Sequence, residues 1–371
     1  MRVAIVHDWL TGMRGGERVL EALLPIFDAP EIFTLIHVPG SVSPAIEAHR
    51  IHTSFINSLP GARSLYRSYL PLFPAAVERF DLSGFDLVVS SSHCVAHGAR
   101  APDGVPHLCY CHTPMRYVWD QYSAYFGPGR ASAPVRMLMP PIAGWLRRWD
   151  VETTNRVHTF IANSEHVRTR IARYWRRDAS VIYPPVDHSR FHAAEKRDAY
   201  YLIVSALVPY KRIDIAVDAF NRLGRRLVIV GDGPELMRLQ NRAEANILFR
   251  GQLPDEEVAQ LMSRARAFVL PGEEDFGIAA VEAQAAGAPV VALARGGALE
   301  TVVGTLAGED PPPGATGVLF AEPTADSLAE AVEWFERLRF DRAVLRCNAQ
   351  RFAPERFERE MRAAIDRVLA A

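Results

Sequence analysis

Glu274 and Glu282 stand at the two ends of an acid–x7–acid spacing in Glu273-Glu-Asp-Phe-Gly-Ile-Ala-Ala-Val-Glu282. The flanking residues say how each carboxylate is held. Ala267 to Leu270 is an apolar run with the length of a buried parallel strand. Phe276 to Ala286, rich in Ala, Glu and Gln, reads as a helix, with Gly287 as its left-handed stop. Pro289 forbids continuation, and Val290-Val291 begins another strand. Glu273, Glu274 and Asp275 therefore fall at the carboxyl end of a strand beside a helix N-terminus, where open α/β sheets bind ligands. The N–H groups of Phe276, Gly277 and Ile278 suit an anionic or hydroxyl-rich ligand. Glu274 can reach one part of such a ligand while Glu282, well inside the helix, reaches another.

Set in its strand–acid–helix–glycine frame, this spacing resembles the donor-site motif of retaining glycosyltransferases of family 4, which have the GT-B fold. The resemblance implies an α/β protein of two Rossmann-like, doubly wound parallel-sheet domains facing a central cleft. It implies that Glu274 binds hydroxyls of the transferred sugar and Glu282 the ribose hydroxyls of the nucleotide. Taken alone, Glu282 reads equally well as a solvated acid near a helix start.

The N-terminus supplies a second ligand-binding turn. Arg2 to Asp8 is a short apolar strand, Gly15 and Gly16 close the loop after it, and Glu17 to Phe27 reads as an amphipathic helix. The glycines match neither a dinucleotide fingerprint nor a P-loop, and by themselves they describe a tight turn. The family resemblance gives them the donor's diphosphate and sugar. Phe85 to Ser92 is a strand ending in small polar residues, and His107 to His112 another that runs into Thr113-Pro-Met-Arg-Tyr-Val-Trp119. His112 thus also occupies a strand's carboxyl end. By resemblance it is a polar catalytic residue near the transferred sugar, with Arg116 on the acceptor side.

After Tyr200 to Ser205, a further strand, come Lys211 and Arg212, an ammonium and a guanidinium fork suited to a diphosphate leaving group. The commoner family pattern is G-R-L-x-x-x-K; here Ser205 and Ala206 replace its glycine and arginine, Lys211 is retained, and Arg212 either supplies the missing charge or points elsewhere. Strands and helices alternate onward from there, as in a doubly wound sheet. The Pro184-Pro185 pair marks a linker, so the expected domains are 1–186 and 187–353; the resemblance implies that the amphipathic segment 354–371 crosses back onto the first.

A chain of 371 residues suits two domains, and its 49% hydrophobic and 23% charged content is that of a globular protein. A net charge of −1 offers no basic excess for nucleic acid. Cys94, Cys109, Cys111 and Cys347 are too few and too irregular for a disulfide framework or structural zinc, and Cys109 and Cys111 read as packing. No signal peptide or spanning segment is evident, so a cytoplasmic location is expected, with peripheral contact at the inner membrane face. Two stretches bear on that contact. Aromatic and aliphatic residues with scattered arginines over 51–80 fit a helical excursion packed on its own domain better than a lipid-facing patch. The arginines Arg168, Arg170, Arg173, Arg176 and Arg177, on and beyond a helix capped by Ser164, fit either an anionic-lipid surface or a solvated face.

The resemblance implies transfer of a hexose from a nucleoside-diphosphate sugar to a saccharide or polyprenyl-linked acceptor, with retention. Cys111-His-Thr-Pro-x-Arg116, Ile161-Ala-Asn-Ser164 and Tyr210-Lys-Arg-x-Asp214 look like bacterial enzymes that build O-antigen or exopolysaccharide, many of which use GDP-mannose. No cofactor is expected; Glu273-Glu-Asp275 could hold Mg²⁺, but the family normally needs no metal for its donor. Two alternatives of other classes are a non-catalytic nucleotide-sugar-binding scaffold and a sugar epimerase on the same fold.

Overall fold

The computed structural model describes residues 1–127, 129, 132–194 and 196–370. Two compact units divide the chain: Met1–Pro185 with Glu355–Ala371, and Val186–Pro354.

The first unit is built on seven parallel strands: β1 (Val3–His7), β2 (Glu31–Thr34), β3 (Ile51–Thr53), β4 (Leu87–Ser92), β5 (His107–Cys111), β6 (Thr159–Ala162) and β7 (Ala179–Val181). Their order is β3-β2-β1-β4-β5-β6-β7. Every residue of β1, β4 and β5 is buried, which is why those strands read as continuous apolar or small-residue runs rather than as alternation. The winding direction reverses between β1 and β4, so their carboxyl ends flank the crevice in which such sheets take ligands.

The helix expected from Glu17 to Phe27 runs Gly15–Leu23 and then tightens into a 3₁₀ turn, Leu24–Ile26, with Pro25 inside it. The 51–80 stretch opens with β3 and continues as short helical turns whose Ile56, Tyr66, Leu70 and Phe73 enter the core. It is packed on its own unit, with Leu65 and Leu72 left outside. Ser164 caps the helix Glu165–Trp175, its side chain accepting from the Val167 N–H. Two arginines of that cluster point inward. Arg170 is buried on Asp120, and Arg177 donates to the carbonyls of Thr154 and Val157 at 2.7 and 2.8 Å. Both are thereby removed from any lipid-facing surface.

The C-terminal helix Pro354–Leu369 buries Phe357, Met361, Ala364, Ile365 and Val368, a single stripe at helical spacing. The stripe joins Val3, Ile5 and Leu20 in one core cluster. Phe357 meets the Tyr110 ring edge-on at 5.7 Å, and Arg362 donates to the Ile26 carbonyl at 3.0 Å.

The second unit repeats the plan with β8 (Tyr201–Val204), β9 (Leu227–Val230), β10 (Ile247–Gly251), β11 (Ala267–Leu270), β12 (Val290–Leu293), β13 (Gly304–Leu306) and β14 (Gly317–Phe320), ordered β10-β9-β8-β11-β12-β14-β13. Its reversal lies between β8 and β11. The helix after β11 is shorter than the composition suggests, Ile278–Ala285, because Gly277 takes φ +88, a left-handed conformation outside any right-handed helix. Phe276 and Gly277 therefore belong to the loop. At the other end Gly287, φ +81, donates to Gln284 O, and Ala288 donates to Ala283 O at 2.8 Å, the paired bonds of a Schellman stop.

Candidate active site

In the second unit the loops after β8 and β11 meet across the sheet's reversal. Val204 ends β8, the chain turns through Pro209–Lys211, and Arg212 at φ +52 redirects it into the helix Ile213–Leu223. Gly272 lets this turn come close: a Cβ there would stand 2.6 Å from the Lys211 carbonyl oxygen. The approach joins the Lys211 ammonium to both oxygens of Glu274. Both side chains are largely shielded, at 18% and 12% exposed, so they attract in a medium less screening than water.

Glu274 is fixed from a third side. Its carbonyl accepts from Gly297 N–H at 2.8 Å, and it forms a lone bridge with Gly296. A side chain on Gly297 would meet the carbonyl oxygens of Phe276 and Asp275 at 2.5 and 2.7 Å, so the loop after β12 must be glycine to lie there. Phe276 is buried edge-on against Phe352 at 5.2 Å, so that it offers ligand only its backbone. Glu282 sits in the second turn of helix Ile278–Ala285, half-buried. That helix is pinned by buried Gln284, which donates to Ala280 O and Thr301 O and accepts from Asn348 Nδ2 at 2.7 Å. Of the acidic run, Glu273 is exposed and Asp275 buried. Arg212 spreads its fork on Asp214, at 3.1 and 3.3 Å, with its side chain 41% exposed. The structure thus brings Lys211 to Glu274 and gives Arg212 a different carboxylate.

In the first unit the corresponding edge is built from histidines. Parallel register sets His7 beside Ser91 and Ser91 beside Tyr110, so these side chains share a face, and His112 follows two residues after Tyr110 on that face. Ser91 Oγ lies 3.1 Å from His7 Nδ1 and 2.8 Å from His112 Nε2. Gly16 faces this group. A Cβ on it would lie 3.6 Å from His7 Cε1 and 3.9 Å from both His112 Nε2 and His93 Nδ1. The glycine start of helix Gly15–Leu23 thus leaves a small space bordered by three imidazoles. Arg116 is half-buried in the turn after His112, where its carbonyl accepts from Gln121 N–H.

The turn after β4 is held by Asp8, which is buried. One of its oxygens accepts from His93 and Cys94 N–H, and the other from Val95 and Ala96 N–H, at 2.7 to 2.9 Å. His93 Nδ1 lies 3.3 Å from the same carboxylate; burial nevertheless pushes this imidazole down, with Asp8 opposing. Glu17 is buried too, with Oε2 accepting from Arg14 N–H at 3.0 Å and Oε1 3.8 Å from His7 Nε2. At that longer separation the contact is electrostatic rather than a hydrogen bond. Burial works to raise the Glu17 carboxyl, yet His7 and His93 hold it below the usual glutamate range. Cys109 is buried, its thiol pushed up to about 12 by desolvation, and so it is inert packing. Among the described residues no group of three or more His, Cys, Asp or Glu is disposed to hold a metal ion.

Residues 187–352 match the family described as "Glycosyl transferases group 1", and residues 13–190 match "Glycosyltransferase Family 4". The first range takes in Lys211, Glu274 and Glu282, and the second takes in Gly15, Gly16, Ser91 and His112. The chain belongs to glycosyltransferase family 4. Among curated relatives, this family 4 chain is 32% identical over 208 residues to a "GDP-mannose-dependent alpha-(1-6)-phosphatidylinositol monomannoside mannosyltransferase" of Mycolicibacterium smegmatis, covering 47% of this chain and 52% of that one. It is 31% identical over 148 residues to an "uncharacterized glycosyltransferase" of Methanocaldococcus jannaschii, covering 38% and 42%. The chain spans about half the length of these curated relatives. Among solved structures, sucrose-phosphate synthase from Thermosynechococcus elongatus superposes with a TM-score of 0.71 at 18% identity, covering all of both chains. The Anabaena HepE protein in complex with UDP-glucose gives 0.69 at 18% identity, over 99% and 100%. At these identities the likeness establishes the fold, the paired Rossmann-like sheets of GT-B glycosyltransferases.

Several residues that shape this site escaped the reading of the sequence. Asp8, Glu17, Ser91 and His93 line the polar edge of the first unit's sheet, and Gly296-Gly297 buttress Glu274 in the second. The clue to Ser91 and His93 was the polar end of a strand otherwise apolar; the clue to Gly296-Gly297 was a glycine pair directly after β12.

Proposed function

We propose that this family 4 chain is a retaining hexosyltransferase that moves a hexose from a nucleoside-diphosphate sugar to a saccharide or lipid-linked acceptor. The observation that carries the reading is the Lys211–Glu274 pair at the reversal of the second sheet. As an oxocarbenium-like sugar separates from its diphosphate, negative charge grows on the leaving group and positive charge on the ring. A lysine ammonium and backbone N–H groups answer the first, and a carboxylate aligned on sugar hydroxyls helps to orient the second. In this reading Lys211, Gly15-Gly16 and the N–H groups around Phe276, Gly277 and Ile278 receive the diphosphate. Glu282 takes the ribose, and Glu274 with His112 the sugar hydroxyls. Arg116 serves the acceptor side. Arg212, engaged by Asp214, contributes to the field rather than by direct contact. No metal is assigned a role.

GDP-mannose is the leading donor, supported by the activity named for the Mycolicibacterium smegmatis relative. For the acceptor we favour one carried on lipid and reached at an anionic membrane surface, consistent with a role in cell-surface polysaccharide synthesis. Support comes from the helix Ala133–Thr153, whose Val135, Met137, Leu138 and Trp145 are exposed, Met137 to 75%. Arg136 and Arg148 flank them, and no acidic residue occurs between Asp120 and Asp150. No helix among the described residues is long and apolar enough to cross a membrane.

The test is a thermal-shift screen of GDP- and UDP-sugars followed by donor-turnover assays with lipid-linked and saccharide acceptors. A GDP-mannose-specific shift with mannosyl transfer is expected. Binding without turnover for any acceptor would leave a scaffold, and conversion of the nucleotide sugar without acceptor would leave an epimerase.

A further inference from the structure

The buried polar chain behind His112 has more in it than packing needs. Ser91 is fully buried, and its one hydroxyl proton stands between two imidazole nitrogens, His7 Nδ1 at 3.1 Å and His112 Nε2 at 2.8 Å. A hydroxyl can donate in only one of these directions and must accept from the other. The proton positions on the two histidines are therefore coupled. If Ser91 donates to His7 Nδ1, His112 must carry its proton on Nε2. If Ser91 donates to His112 Nε2, His7 must carry one on Nδ1.

Glu17 breaks the tie. Its Oε1 faces His7 Nε2 at 3.8 Å within a buried pocket, so a proton on that nitrogen is electrostatically favoured. A neutral His7 protonated at Nε2 has only a lone pair at Nδ1. Ser91 then donates to it and accepts from His112 Nε2–H. The carboxylate stays fixed because Arg14 N–H holds its other oxygen at 3.0 Å. If His7 takes a second proton, on Nδ1, that N–H donates to Ser91 and Ser91 donates to His112 Nε2; the proton lost from His112 Nε2 is matched by one taken up at its Nδ1, so the ring stays neutral.

We propose that Glu17, His7 and Ser91 form a relay of positioning residues that decides whether the His112 Nε2 carries a proton, with the Nε2–H form set while His7 is neutral. The functional part of this inference rests on the reading of His112 as a group that meets the transferred sugar. Other ionisable groups bordering the relay are His93, Asp8, Arg14 and Tyr110. His93 lies 5.7 Å from the His7 ring and 6.1 Å from His112, and burial disfavours its charged form. Asp8 is committed to four backbone N–H groups of the neighbouring turn. Arg14 offers its backbone N–H to Glu17, and Tyr110, edge-on to His112, donates its hydroxyl to Ile182 O at 2.9 Å.

Nitrogen-15 spectroscopy of the full chain labelled at histidine reads the tautomer of each ring without substrate. The expected result is His112 as the Nε2–H form at neutral pH. In Ser91→Ala the His112 ring should lose that preference, and in Glu17→Gln the His7 ring should lose its preference for the Nε2–H form. With an active donor–acceptor pair in hand, Ser91→Ala should lower kcat roughly tenfold at unchanged donor KM and displace the acid limb of the pH profile, while Ser91→Thr, which keeps the hydroxyl, restores both. Wild-type His112 in the Nδ1–H form, or a His112 signal indifferent to Ser91→Ala, overturns the relay even if glycosyl transfer stands. A relay seen by spectroscopy in a chain that transfers no sugar would instead sink the catalytic reading alone.

Discussion

The two units solve one problem in different materials. Each places polar groups at the carboxyl ends of the two strands that flank a sheet reversal, His7 and Ser91 in the first, the Lys211 and Glu274 loops in the second. In the second unit the work is done by backbone and glycine. Gly272 and Gly297 allow loops to touch where any side chain would collide, and one ion pair closes the arrangement. In the first unit it is done by side chains drawn out of water: Asp8 ties a turn, His7, Ser91 and His112 form a hydrogen-bonded line, and Glu17 faces its His7 end. Polar groups taken out of water must find partners, and the dense mutual pairing of the first unit is the result. A site built from glycine tolerates little change of shape. A site built from buried polar side chains tolerates little change of hydrogen bonding.

The largest effect that would test this contrast concerns the ion pair. Glu274→Gln keeps size and loses charge, and should reduce transfer by about 10² to 10³-fold, the usual cost of removing one preorganised group of an electrostatic site. Steady-state rates with the donor found by thermal shift would show it; a change below threefold would remove Glu274 from the chemistry. Next comes the turn tied by Asp8. Asp8→Ala strands four N–H groups, three of them on buried residues, and should cost the first unit about 3 kcal/mol or more. Urea unfolding followed by a probe in the first unit measures this, and a loss under about 1 kcal/mol would mean the turn holds itself.

Acid should separate the units as well. His107 is buried with its Nε2 2.9 Å from Ser90 Oγ, and burial pushes its pKa from 6.5 down to about 3. The unfolded chain therefore binds this proton first, so stability is lost as pH falls from about 6.5 toward 3. Between pH 7.5 and 5 the loss from this one group is about 2 kcal/mol, and His107→Gln should flatten the pH dependence by that amount. Equal slopes in wild type and variant would show that His107 titrates normally. The smallest effect concerns a glycine that the first unit does not need. A Cβ on Gly144, within the helix Ala133–Thr153, meets nothing within 4 Å, so Gly144→Ala should stabilise by about 0.5 to 1 kcal/mol. Destabilisation in a melting curve would mean that something covers this helix face.

Local chemistry determined much of this protein from its sequence alone. Apolar or small-residue runs four to six residues long marked β1, β4, β8, β9, β11 and β12, because strands covered on both faces need no alternation. Gly287 and Ser164 marked a helix stop and a helix start, because each acts through backbone geometry within one turn. The Glu274–Glu282 spacing was likewise readable, since one strand, one loop and one helix contain it. What the sequence did not determine required residues far apart in the chain. Asp8 meets residues 85 to 88 positions away, and Ser91 stands between His7 and His112, 84 and 21 positions distant. Nothing near Gly277 in the chain announced its left-handed turn. Burial and strand register are properties of the folded sheet, and only they could turn scattered polar residues into a connected site.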